Sequence, residues 1–354
     1  WVSRGLGSPP PSPVSRPPTA FTMPCTRPSF SLALLLTLAA SPVAAQTYPP
    51  GGDPRDGLRP GLHDAGTAIA GMRLVSATPK AAVFDTMQGL TFVNSDLAFG
   101  GNYVYQGNFA GFSIWDVSNP ARPSLVSAVS CITSQGDPTI YGNLLFLSAE
   151  GGGNRNDCAK GGVSDPKDHM AGVRIFDVTD KKAPKLVKNV QTCKGSHTHT
   201  LVPSPTDKRV IYLYVSGQQA ARPETELAGC RNGTDPADPT NSLFQLDIIK
   251  VPLDDPEKAE VIPGARIFTN LDQRGECKQF CAPEDPRRQA ARSARPAPDP
   301  EMPTTARNCH DVTAYPAMNL LAASCSTHSI VVDISNPEKP VRLDALQDTN
   351  NFQG

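Results

Sequence analysis

The sequence predicts an all-β protein, a β-propeller of four-stranded antiparallel blades, and three observations carry that expectation. Pro (36) and Gly (28) make up 18% of the 354 residues, against about 12% in an average chain. Both are poor inside helices, which disfavours a helical bundle, yet 39% of the residues are hydrophobic, enough to fill a core. A unit of strand, Asp, Pro-ended turn and second strand recurs along the chain, and another hairpin precedes each copy.

The N-terminal segment stands apart from that fold. Residues 1–22 lack Met and are rich in Pro, Ser and Arg, which reads as translated sequence upstream of the natural start. From Met23 the chain shows Arg27, a ten-residue apolar run from Ser31 to Ala40, the breaker Pro42 and the small residues Val43-Ala44-Ala45. That is the layout of a secretory signal peptide over Met23–Ala45, with an apolar run too short to span a bilayer. The expected product is secreted, periplasmic or held at the cell surface, and opens with a Gly/Pro-rich segment at 46–71. A net charge of -1 gives no overall pull toward nucleic acid or membrane.

The repeat sets the blades. Phe112-Ser-Ile-Trp-Asp-Val-Ser-Asn-Pro120 recurs as Val173-Arg-Ile-Phe-Asp-Val-Thr-Asp180 and as Ser329-Ile-Val-Val-Asp-Ile-Ser-Asn-Pro337. A weaker copy lies at Leu243-Phe-Gln-Leu-Asp-Ile-Ile249. Its Asp residues, Asp116, Asp177, Asp247 and Asp333, are expected to cap the turn after the third strand through their own side chains. Upstream hairpins at 96–105, 137–147, 197–215 and 310–323 complete four blades, at about 92–130, 131–191, 192–270 and 309–347. An insertion at 271–308 separates the last two. Arg73-Leu-Val-Ser-Ala77 copies Ser124-Leu-Val-Ser-Ala128, so residues 72–78 are expected to form an orphan outer strand pairing with a last blade. The domain then spans 72–350. Four blades make a small ring, so the sequence is expected to be a fragment with further blades missing.

The cysteines follow the same frame. Eight remain after the signal, an even number that reads as disulfides in an exported chain. The blade repeat pairs Cys131 with Cys158, Cys193 with Cys230 and Cys309 with Cys325. Cys277 and Cys281 are left to each other inside the insertion, with a zinc site as the rival reading. Each bridge would stabilise by roughly 2–4 kcal/mol.

The copies at Gly111–Pro120 and Ser329–Pro337 resemble the LVIVD repeat of bacterial and archaeal surface β-propellers. The resemblance extends to Cys193-Lys-Gly-Ser-His-Thr-His-Thr200 and Cys309-His-Asp-Val-Thr-Ala-Tyr-Pro316, and covers about residues 72–346. It implies a secreted propeller with more than four blades. It supplies no reaction, since that family is defined by its fold.

Candidate chemistry lies on the first strands, which line a propeller's channel. Alignment on the turns makes Asp96, Asp137, Thr198 and Asp311 equivalent, with His197 and His310 one position before. His199 shares a strand face with His197 if period two holds. These His and Asp residues are the set that could hold a divalent metal, the one cofactor the residues suggest. The competing reading gives them hydrogen-bonding duty between blades. No phosphate loop, dinucleotide fingerprint, GlyXSerXGly elbow or HisGluXXHis motif occurs. The expected function is therefore a binding scaffold whose loop-rich mouth takes a protein, peptide or carbohydrate. The alternative is a metal-dependent oxidoreductase or hydrolase using the channel residues.

Overall fold

The computed structural model describes residues 54–347 apart from 62–63, 152, 234, 236–237, 239, 270, 272–307 and 327. The signal peptide and the Cys277–Cys281 pairing lie outside the described residues. The chain divides into two compact units, and all the sheets belong to the second, Leu74–Gly354.

Four four-stranded antiparallel sheets follow one another along the chain. Blade one comprises β1 (Asn94–Gly100), β2 (Tyr103–Asn108), β3 (Gly111–Asp116) and β4 (Ser124–Ser130). Blade two holds β5 (Pro138–Tyr141), β6 (Leu144–Ala149), β7 (Gly172–Asp177) and β8 (Lys185–Gln191). Blade three holds β9 (Thr198–Pro203), β10 (Val210–Ser216), β11 (Leu246–Pro252) and β12 (Glu260–Ala265). Blade four holds β13 (Asp311–Tyr315), β14 (Leu320–Cys325), β15 (His328–Asp333) and β16 (Val341–Gln347). In each blade the spatial order is the chain order, so every connection is a hairpin and closure entropy stays low.

Strand alternation builds the core between blades. Ile211, Leu213 and Val215 of β10 point toward Phe146, Val173 and Ile175 of blade two. Their neighbours Tyr212 and Tyr214 point toward Leu321, Ile330 and Val332 of blade four. Tyr105, Phe112 and Ile114 meet Leu145, Leu147 and Phe176 in the same way. Both faces of the middle blades are therefore apolar, which explains continuous runs such as Leu144–Leu147. Polar ties add register between neighbours. Ser127 Oγ donates to Lys181 O at 2.6 Å, and Tyr214 Oη to Pro337 O at 2.7 Å. Each tie runs from one blade to the Pro-ended turn of the next. The other face of blade one carries Leu97 and Phe99, which are 51% and 68% exposed.

The Asp of the repeat caps its turn in three blades. Asp116 Oδ1 accepts from Ser118 N at 2.8 Å, Asp177 Oδ1 from Thr179 N at 2.8 Å and Asp333 Oδ1 from Ser335 N at 2.7 Å. These hydrogen bonds hold all three carboxyls below the usual carboxylate range.

Blade three corrects the fourth copy. Asp247 lies at the start of β11, buried beside Gln245, whose Nε2 donates to it at 3.2 Å. Burial pushes its carboxyl up and outweighs the nearby Lys194 ammonium. The true counterpart of Ile334-Ser-Asn-Pro-Glu-Lys339 is Leu253-Asp-Asp-Pro-Glu-Lys258, which puts Pro252 at the capping position. Asp247 sits inside an apolar run that imitates the repeat five residues too early.

No strand is formed at 72–78, and no described blade pairs with that stretch. Ser76 Oγ instead donates to Pro120 O at 2.9 Å, which ties this stretch to the first blade's turn. Three disulfides close as the repeat predicts: Cys131–Cys158, Cys193–Cys230 and Cys309–Cys325. In the last pair the bonded residues lie side by side at the open end of one hairpin, β13–β14.

Candidate functional site

The first strands β1, β5, β9 and β13 are successive neighbours, so residues at their leading ends meet near one axis. Asp137, His197 and His310 each immediately precede a first strand, while Asp96 is the third residue of β1. Backbone bonds fix the two His. His197 N donates to Ser216 O at 2.7 Å and His310 N to Ser324 O at 2.8 Å, the same bond in successive blades.

The two imidazoles lie together, with ring centroids 4.5 Å apart and planes 49° from parallel. Each is oriented by a carboxylate on Nδ1: Glu150 Oε1 at 2.9 Å for His197 and Asp311 Oδ2 at 2.8 Å for His310. A carboxylate only accepts, so Nδ1 carries the proton in both rings and Nε2 is left to other partners. Gln135 Nε2 stands 3.5 Å from His197 Nε2. The pair is partly accessible from solvent, with side-chain exposure of 15% at His197 and 31% at His310.

Across the axis, Asp96 feels blades three and four. Its carboxyl is raised first by burial and then by Asp311, while His197 and His310 pull it down. Asp137 is more enclosed. Burial pushes its carboxyl up to about 8, against the hydrogen bond that His199 N donates to Oδ2 at 3.0 Å, and Asp96 and Asp311 raise it further. Five of the six residues expected at the channel mouth are therefore drawn together from four blades.

The sixth, His199, is not. His197 lies outside β9, so strand alternation does not place the two rings on one face. The His199 side chain is fully enclosed between blades two and three, with Nδ1 2.8 Å from Ser148 Oγ and 3.4 Å from Asp137 Oδ2. Burial pushes its imidazole down to about 3, so it is neutral. Ser148, His199 and Asp137 share the residue types of a hydrolytic triad without its geometry. Hydroxyl and carboxylate both approach Nδ1, whereas a relay needs them on opposite ring nitrogens. Ser148 Oγ is also 2.8 Å from Ser196 Oγ, inside the blade interface.

Glu150 and Gln135 were missed by sequence reasoning. Glu150 follows β6 by one residue and so stands at the same blade end as Asp137. Counting outward from the Gly142-Asn143 turn would have located it. Among the described residues, no three His, Cys, Asp or Glu side chains form a ready-made metal cage. No described helix is long and apolar enough to cross a membrane.

The family model described as the LVIVD repeat matches residues 94–131 and 329–343. No curated protein matches the chain. Among solved structures, the chain is similar to the hydrazine synthase of Kuenenia stuttgartiensis at 12% identity and a TM-score of 0.38, covering 74% of this chain and 56% of that one. It is also similar to a hypothetical selenium-binding protein from Sulfolobus tokodaii, at 12% identity and a TM-score of 0.38, over 72% of this chain and 50% of that one. The chain thus spans about half the length of these two structures. The first blade and the outer part of the fourth carry the LVIVD repeat, on an all-β fold of propeller blades.

Proposed function

We propose that the chain is an exported propeller that acts as a binding scaffold, taking a protein, peptide or carbohydrate partner at the axial mouth. One observation carries the reading. Asp96, His197, His310 and Asp311 come from three different blades to one partly open surface. Disulfides in loops near that end add support, because they hold the surroundings of the mouth without a larger core. The exposed Leu97 and Phe99 on blade one support a ring with more blades than four, in which a neighbour would cover them.

Acidic and imidazole groups at a mouth favour partners bearing amines, guanidinium groups or hydroxyls. The test is a peptide and glycan array probed with the chain and with a His310→Ala/Asp311→Asn variant. Binding that falls at least tenfold in the variant, with an unchanged melting curve, is the expected result. Array binding of equal strength in both proteins would move the site away from the mouth.

A further inference from the structure

We propose that His197 and His310 together bind a borderline divalent metal ion of the zinc, copper or nickel class through their Nε2 atoms. The proposal rests on the mouth being the working surface of the protein, and names a ligand for it. Three features of the pair support it. First, both rings are carboxylate-oriented on Nδ1, by Glu150 at 2.9 Å and by Asp311 at 2.8 Å. Imidazoles that ligate metals are held in this way, because the second bond fixes the tautomer, aims Nε2 and raises its basicity.

The second feature is spacing. A metal ~2.1 Å from each Nε2 lies ~3.2 Å from each ring centroid, so rings bound at a right angle stand ~4.5 Å apart and at a tetrahedral angle ~5.2 Å. The observed 4.5 Å falls at the near end of that range. The ring separation is thus compatible with a shared metal once Gln135 Nε2, 3.5 Å from His197 Nε2, gives way, and backbone bonds from His197 N and His310 N anchor both residues.

The third is charge. Asp96 lies within electrostatic reach of both imidazoles and of Asp311. A dication between the rings would relieve the repulsion among these carboxylates. Asp96, not engaged on either Nδ1, is the carboxylate offered for a third coordination position, with water filling the rest. Two imidazoles and water suit zinc, copper and nickel far better than calcium or magnesium, which take oxygen ligands. Enclosed His199 takes no part.

The test uses the full chain stripped with chelator and then given Zn²⁺ or Cu²⁺ alone. One equivalent of Zn²⁺ should remain after dialysis, and bound Cu²⁺ should show two imidazole nitrogens in its electron paramagnetic resonance spectrum. His197→Ala and His310→Ala should each leave one nitrogen and weaken binding at least tenfold. Glu150→Gln keeps both ligands and an acceptor for His197 Nδ1 while removing its charge, and with an unchanged melting curve should still weaken binding by about tenfold. Absence of stoichiometric binding, or binding retained by the double His variant, would overturn the proposal. Partner binding measured on the metal-free protein keeps the two readings apart. If it persists while metal binding fails, only the metal site is lost.

Discussion

Gly111→Ala and Gly172→Ala should each lower folding stability by about 3 kcal/mol or more, among the largest effects of any single methyl in this chain. Both glycines open the third strand of a blade, at φ +144 and +146, where side chains are rarely tolerated. An added Cβ would lie 2.0 Å from Val129 O in blade one and 2.1 Å from Val190 O in blade two. Those oxygens belong to the neighbouring outer strands, so the methyl must push β4 from β3, or β8 from β7. Gly142→Ala is the control. It has φ +58 and nothing within 4 Å of the added Cβ, so it should cost only about 1 kcal/mol. Urea unfolding of the three variants checks the order. Equal losses at Gly111 and Gly142 would mean that the β3–β4 approach is looser than described.

Arg174→Met should be nearly as damaging. Arg174 is wholly buried in β7, yet its guanidinium is used almost completely. It donates to Asn189 Oδ1 at 3.0 Å, to Ile132 O at 3.1 Å and to Arg155 O at 2.8 Å. The last two carbonyls lie in the loops on either side of the Cys131–Cys158 bridge. Burial pushes the guanidinium down to about 10, still charged at any ordinary pH, with Asp157 supporting the charge. Methionine fills similar volume but leaves two carbonyls and Asn189 unpaired, a loss of roughly 3–4 kcal/mol. Arg174→Lys should recover little, because one ammonium cannot span three acceptors in a plane. Proteolysis should then cut first within residues 150–171. A variant with wild-type melting and no new cleavage would contradict the bracing role.

Much of this architecture was legible because the repeat carries local chemistry. Asp116, Asp177 and Asp333 cap turns that each end in Pro, and a cap needs only residues two apart in sequence. The disulfide pairing followed from the same frame, since equivalent positions in successive blades are equivalent in space. Legibility ended where local patterns compete. Asp247 follows an apolar run that imitates the repeat, and only burial beside Gln245 separates the decoy from Leu253-Asp-Asp-Pro256. His199 looked paired with His197 because alternation was extended one residue beyond the strand start. Glu150 was passed over because its role depends on a ring in the next blade, which no local pattern encodes.

The central claim is that four blades bring their leading ends to one axis, and Asp137 reports on it most directly. A carboxyl raised to about 8 holds its proton in the folded chain, whereas the unfolded chain releases it near pH ~3.9. The stability this group contributes is therefore fully present below about pH 4 and is lost as the pH rises through about 8. Asp137→Asn should flatten that slope while still accepting from His199 N. The decisive measurement is the carbon-13 titration of the Asp137 carboxyl in the folded chain, repeated in Asp96→Asn. The geometry predicts a midpoint far above the carboxylate range, near 8, that falls when the Asp96 charge on blade one is removed. A midpoint near 4 that ignores the Asp96 substitution would mean that the blades do not converge there.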